Sequence, residues 1–309
     1  MATTTSITTT YAGEFAGKYV SAALLSGATL ANDLITIKPN VKFKEVMKKV
    51  SSDAIVKNGS CDFDSTSTLT LTERILQMEE YQVNLQLCKK DFVSDWEAIS
   101  MGYSAFSDLP SSFSDFLIAH VAGKVAQKTE NTIWSGTNAN EGEFDGFTTT
   151  LLADADVVDV AAVGGGVTAA NIVAEIGKTV DAISQNVYGA EDLQIFVSSN
   201  VMRAYVRALG GFATNIGGAG TDNKGTQWYG GGTVTFDGIP LVLAQGLTNN
   251  KMVAAEKSNL FFGTGLLSDQ QEVKVLDMAD IDGSQNVRIV MRYTAGIQHA
   301  IGSDIVLYS

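Results

Sequence analysis

A chain of 309 residues with 45% apolar side chains can bury a sizeable core, as one large domain or two joined ones. Its 34 Asp and Glu outnumber its 21 Lys and Arg, and the net charge of -13 excludes a protein that grips nucleic acid through phosphate contacts. No apolar run reaches the length of a membrane span, and the threonine-rich start lacks the basic and apolar regions of a signal peptide, so a soluble protein made in the cytoplasm is expected.

Residues 1 to about 10 are too polar to bury anything alone and are expected to be disordered unless a partner receives them. Tyr11, Phe15, Tyr19, Leu24 and Leu25 follow at the spacing of a short amphipathic helix. Leu34 to Ile37 is strand-like and stops at Pro39. In Lys42-Phe-Lys-Glu-Val-Met-Lys-Lys49 the lysines are interleaved with other residues, which predicts the solvated face of a short element. Ala54 to Val56 is strand-like, Asn58-Gly59 is a turn dipeptide, and Asp62 to Thr72 is polar. Tyr81, Val83, Leu85 and Leu87 alternate with Gln82, Asn84 and Gln86, the period of a half-buried strand. This first third has too little core to stand alone and reads as an arm plus a long two-stranded loop that packs on a neighbour.

Residues 111 to 134 predict a long helix. Ser111 or Ser112 caps it after Pro110, and Phe113, Leu117, Val121, Val125 and Ile133 form one ridge beside Phe116. At 1.5 Å per residue it spans roughly 35 Å. Thr168 is expected to cap a helix with Ile172, Val173, Ile176, Val180 and Ile183 on one face. Leu193 to Val197 reads as a strand, and Ser199 and Asn200 as caps for a helix carrying Val201, Tyr205 and Leu209. The glycine-rich run Gly210 to Gly232 reads as a long mobile loop. Strands are then predicted at Ile239 to Leu243, Met252 to Ala255, Glu272 to Leu276, Val287 to Tyr293 and Asp304 to Tyr308. The class is α+β, without a regular βαβ repeat or internal duplication.

Little in the sequence supports catalysis, and no catalytic, cofactor-binding or metal-binding residue is assigned. His120 and His299 read as structural histidines, and no nucleophile elbow is present. Gly220-Thr-Asp-Asn-Lys-Gly225 begins like a phosphate loop, but Thr226 stands where lysine belongs. Gly164-Gly165-Gly166 reads as a flexible connection. Asp277, Asp280 and Asp282-Gly283 read as a polar turn, because Met278 occupies the first position a calcium loop reserves for a carboxylate. Asp154, Asp156 and Asp159 form no recognisable acid/base pair. Cys61 and Cys88 fit a reducing compartment and have no metal-ligand spacing.

The stretch Asn131-Thr-Ile-Trp-Ser-Gly-Thr-Asn-Ala-Asn-Glu-Gly-Glu-Phe-Asp-Gly-Phe147 ends a long helix in small residues and enters a mixed region through Gly-Phe. That order resembles the end of the spine helix in tailed-bacteriophage major capsid proteins, whose fold is shared by the herpesvirus capsid floor and encapsulins. Phe236-Asp-Gly-Ile-Pro-Leu-Val242 and Val287-Arg-Ile-Val-Met-Arg-Tyr-Thr-Ala-Gly296 echo the same family. The resemblance implies an N-terminal arm over 1-48, an E-loop and return strand over 49-88, and the spine helix and P-domain over 89-190. It places the A-domain over 191-270 and closing P-domain strands over 271-309. It implies a non-enzymatic protein that assembles with copies of itself, as pentamers and hexamers, into an icosahedral virion shell around double-stranded DNA. Assembly would occur in the host bacterial cytoplasm, with no membrane and no cofactor. No assembly domain of about a hundred residues precedes the arm, so a separate scaffolding protein is expected, together with a portal. Lys57 lies inside the proposed loop, but no asparagine partner can be named, and covalent cross-linking is not expected. An encapsulin shell around a protein cargo is the alternative on the same fold, and a filament or surface protein the alternative in another class.

Overall fold

The computed structural model describes residues 27-52, 56, 58-59, 61, 69-88, 111-209, 234-265 and 274-309. In chain order the helices are α1 (Ala28–Ala31), α2 (Ser111–Ser135), α3 (Phe147–Ala153), α4 (Ile172–Asp181), α5 (Ser199–Leu209) and α6 (Ala279–Asp282). The strands are β1 (Thr36–Pro39), β2 (Lys44–Ser52), β3 (Leu69–Gln77), β4 (Glu79–Cys88), β5 (Val158–Val160), β6 (Leu193–Val197), β7 (Val234–Phe236), β8 (Ile239–Leu243), β9 (Met252–Glu256), β10 (Leu260–Thr264), β11 (Lys274–Asp277), β12 (Asn286–His299) and β13 (Val306–Tyr308). The fold is α+β, as expected. The helix expected around Tyr11 to Leu25, the strand at Ala54 to Val56 (apart from Val56 itself) and the glycine-rich loop lie outside the described residues.

α2 is the predicted long helix, 25 residues or about 37 Å. Ile118, Val121, Val125, Thr129, Thr132 and Ile133 recur at three- and four-residue intervals and are buried, the spacing of one helical face. Its end is fixed by a close approach that only glycine permits. A Cβ on Gly136 would lie 2.4 Å from the Phe144 carbonyl oxygen, and one on Gly146 would lie 2.5 Å from that of Thr132. The intervening polar turn therefore folds back on the helix end, and α3 starts beside it. Trp134, wholly buried, packs 4.9 Å from the Phe196 ring and 5.5 Å from Phe147. Its indole N–H donates to the Thr29 hydroxyl at 2.7 Å, and buried Glu130 accepts from the Thr29 N–H and hydroxyl. These bonds fasten α1 to the long helix.

β12 is the axis of a five-stranded sheet. One edge pairs with β4 over ten residues, and the other is shared by β11 and β10, with parallel β1 beyond β10. The second sheet runs β5-β13-β9-β6-β8-β7. Its strands alternate between two cores, as period-2 geometry requires. Phe196, Val253, Ala255 and Leu307 face the core shared with α2, α3 and the five-stranded sheet, whereas Ile195, Val197, Met252, Ala254 and Tyr308 face α4 and α5.

Several details differ from the sequence reading. Thr168 does not cap α4. Its N–H donates instead to Asn171 Oδ1 in the preceding turn, and Val173 is exposed. Asn200 Oδ1 accepts from the Ser198 hydroxyl and the Asn250 N–H, tying loops together. α4 and β13 belong with the six-stranded sheet, joined by the Tyr308 hydroxyl donating to Glu175 at 2.8 Å, whereas β10 belongs with the five-stranded one. The boundaries expected at residues 190 and 270 thus do not separate the two sheets.

Candidate assembly surface

β2 and β3 form an antiparallel hairpin of nine residue pairs, Lys44 opposite Gln77 through Ser52 opposite Leu69. The lysine run Lys42 to Lys49, expected to be the solvated face of a short element, lies mostly in β2, where Lys48 is exposed. Residues directly opposite share a face, so Val46 with Ile75 and Lys48 with Glu73 lie on the same side as Leu71 and Leu69. That side is open. Leu69 and Leu71 are 66% and 62% exposed, and Val46 and Ile75 about half. The other face, carrying Met47, Arg74 and Leu76, turns toward the body. Covering each open apolar side chain would contribute on the order of 1 kcal/mol, and the Lys48–Glu73 pair divides this face into two exposed apolar patches that a neighbour could cover.

The root of the hairpin is rigidly held. β3 and β4 are nearly one continuous strand, broken at Met78, where the chain crosses over the five-stranded sheet. Beneath the crossing lie Gly263 and Gly296, partners across β10 and β12. A Cβ on Gly296 would sit 2.2 Å from the Gln77 carbonyl oxygen, and one on Gly263 would sit 2.6 Å from the Met78 sulfur. Val41, Leu76 and Met78 fill a small core there, the Met78 N–H donates to the Phe43 carbonyl, and Gln298 Nε2 donates to that of Ile75. Lys38 pairs with Glu45 at 2.5 Å.

An ionic cluster completes the root. Arg74 Nη2 bonds Asp154 Oδ2 at 2.5 Å, with Asp156 3.9 Å away, and His299 Nε2 meets the same Asp154 oxygen at 2.7 Å and Arg74 Nη1 at 2.9 Å. His299 is only 1% exposed, and its Nδ1 is buried without a partner among the described residues. A neutral ring with its proton on Nε2 gives Asp154 a hydrogen bond and leaves the bare Nδ1 as the buried atom without a partner, and the Arg74 Nη1 approach is then a close contact rather than a hydrogen bond. Burial, against the pull of Asp154 and with the Arg74 charge, pushes the imidazole below its ordinary pKa. Burial opposes ionisation of Asp154 as well, but bonds from His299, the Asp156 N–H and Arg74 outweigh it and hold the carboxyl below its usual range. Asp154, read from sequence as one loop carboxylate among several, is therefore an anchor between hairpin and body. His299, read from sequence as a structural histidine, lies buried in this cluster.

The remaining candidates do not converge on this surface. His120 is exposed on α2. Gly165 and Gly166 take φ of 92° and 86° in a turn whose Val167 N–H donates to Asn250 Oδ1. Asp277 and Asp282 accept from the N–H groups of Ala279 and Ser284 around α6. Among the described residues no cluster of His, Cys, Asp and Glu could hold a metal, and no helix is long and apolar enough to cross a membrane. Cys61 and Cys88 are free thiols. Lys57 and Gly220 to Gly225 lie outside the described residues.

No protein-family model matches the chain, and no curated protein does. Solved structures do. The capsid of a native GTA particle is 13% identical, with a TM-score of 0.60 over 100% of this chain and 94% of that one. The satellite phage P4 procapsid gives 11% and 0.57 over 94% and 98%. The capsid of Myoviridae phage XM1 gives 12% and 0.57 over 91% of each. The chain shares the fold of these phage capsid structures along nearly its whole length.

Proposed function

We propose that the chain is the major capsid protein of a tailed bacteriophage, which builds an icosahedral shell from pentamers and hexamers of itself. The observation that carries this is the hairpin, a nine-pair ribbon whose outward face exposes Val46, Leu69, Leu71 and Ile75 while its root is clamped to the body. A monomer gains nothing from exposing these four apolar side chains, whereas a closed assembly can cover them with the next copy. The likeness to phage capsid folds supports the same reading.

In this proposal β2 and β3 are the E-loop and α2 is the spine helix. The five-stranded sheet with α2 and α3 is the P-domain, and the six-stranded sheet with α4 and α5 the A-domain. The protein encloses double-stranded DNA without gripping it, since its charge of -13 repels phosphate. A scaffolding protein and a portal are partners, the host cytoplasm is the place of assembly, and the protein performs no catalysis.

The test replaces Leu71 and Ile75 together by Asp. Both side chains face outward, so the subunit's melting temperature should stay within a few degrees of the parent while closed particles disappear from electron micrographs. Normal particles from this variant would remove the hairpin from the assembly mechanism.

A further inference from the structure

A concave pocket of about 350 Å³ lies where α5 meets the turn before α4. Arg203 and Arg207 form one wall, one helical turn apart, with Asn200 beside them, and Thr168 and Val167 face them across Ala204. Among the described residues the lining contains no carboxylate. The Arg203 guanidinium is held in place by the Ser199 carbonyl and hydroxyl, and Arg207 has no ion pair among the described residues. The opposite wall is equally fixed. Asn250, at φ 63°, accepts from the Val167 N–H and from Asn200 Nδ2, and its own N–H donates to Asn200 Oδ1. Two like charges at i and i+4 repel across a helix face, and an anion between them removes that repulsion. The guanidinium fork matches a carboxylate or phosphate in plane.

We propose that this pocket receives an acidic side chain, Asp or Glu, from a second copy of the chain. Each copy carries 34 acidic residues against 21 basic ones, so apposed copies repel unless some carboxylates enter basic sites. A basic pocket whose described lining holds no acid supplies such a site. Its volume admits a side chain and its immediate neighbours rather than a nucleic-acid duplex, and the charge of -13 opposes a polyanion at longer range. The inference rests on self-assembly, the reading proposed above.

Zero-length cross-linking tests it. Arg207→Lys keeps the charge and introduces an amine that a carbodiimide joins only to a carboxylate in contact. Equal amounts of nitrogen-15-labelled and unlabelled subunits are mixed, cross-linked and analysed by mass spectrometry. The expected product joins the amine at position 207 to an Asp or Glu of the other isotope. In parallel, Arg203→Glu with Arg207→Glu should lower the assembled fraction at least tenfold while the subunit melts as before. Shells without an inter-copy product at position 207, or with an unchanged assembled fraction in the double variant, overturn the pocket and leave the shell intact. Inter-copy products without shells support the pocket and remove the shell. Retention of a labelled oligonucleotide by the parent and its loss in the double variant would assign the site to phosphate instead, and would overturn the proposal.

Discussion

Gly296→Ala should loosen the hairpin root, and the size of the effect follows from one distance. The new Cβ would fall 2.2 Å from the Gln77 carbonyl oxygen, 3.2 Å from its carbon and 3.4 Å from Met78 Cα. Carbon and oxygen normally approach no closer than about 3.3 Å, so the crossing must rise by about 1 Å. All three atoms are backbone, and no rotamer change relieves the clash. The crossing is also tied down by the Gln298 bond to the Ile75 carbonyl and the Met78 bond to that of Phe43. Overpacking of this kind costs about 1–3 kcal/mol. At about 2–4 °C per kcal/mol for a large domain, the melting temperature should fall by about 2–12 °C. Gly263→Ala should cost less, because its nearest neighbour is the Met78 sulfur at the end of a flexible side chain. Gly177→Ala is the control. It lies within α4 with nothing inside 4 Å of the new atom, so it should raise stability by about 0.5–1 kcal/mol. Calorimetry gives the melting temperatures, and amide exchange of Leu76 and Met78 locates the change. An unaltered melting temperature and unaltered exchange in Gly296→Ala would refute the crossing.

Val121→Asp places an unpaired charge on the buried face of α2 and should cost several kcal/mol, giving insoluble or unfolded protein; soluble protein with unchanged circular dichroism would contradict the helix orientation. His299 is held below its ordinary pKa, so as pH falls below about 6.5 the unfolded chain takes up the proton first and stability declines toward the folded pKa. The depressed Asp154 adds a further loss below about pH 3.9, as pH falls toward its folded pKa. His299→Gln should flatten the decline in melting temperature between about pH 6.5 and 5, and an unchanged slope would place the titrating group elsewhere. Because copies carrying -13 repel, moderate salt, with a Debye length of roughly 10 Å at 0.1 M, should speed assembly followed by light scattering; fastest assembly without salt would argue against net repulsion.

The long helix was legible because Val121, Val125 and Ile133 repeat at helical spacing, and β4 because Tyr81 to Leu87 alternate. β10 was missed. Its Leu-Phe-Phe-Gly-Thr is buried on both faces, so it has no alternation, and it is short. α3 was missed because Phe147-Thr-Thr-Thr-Leu-Leu-Ala is rich in threonine, a poor helix former that tertiary packing of Phe147 and Leu151 overrides. β2 and β3 were obscured by lysines and threonines, whose pairing becomes visible only once the register is known. The ionic cluster could not be read at all, since Asp154 and His299 lie 145 positions apart and Arg74 and His299 lie 225 apart. No local pattern joins such residues, and only the crossing of β3 over β12 brings them together. The same holds for the pocket, where Arg203 and Arg207 look like an ordinary solvated helix face until the turn at Val167 is placed against them.

Electron microscopy of the purified protein in negative stain tests the central claim most directly. A shell-building protein gives closed, roughly spherical particles of uniform diameter, or discrete pentamers and hexamers that close on addition of salt. Nucleic acid within the particles separates a phage capsid from a shell around a protein cargo. Helical filaments, or monomers that remain monomers at every salt and protein concentration tried, would contradict the claim.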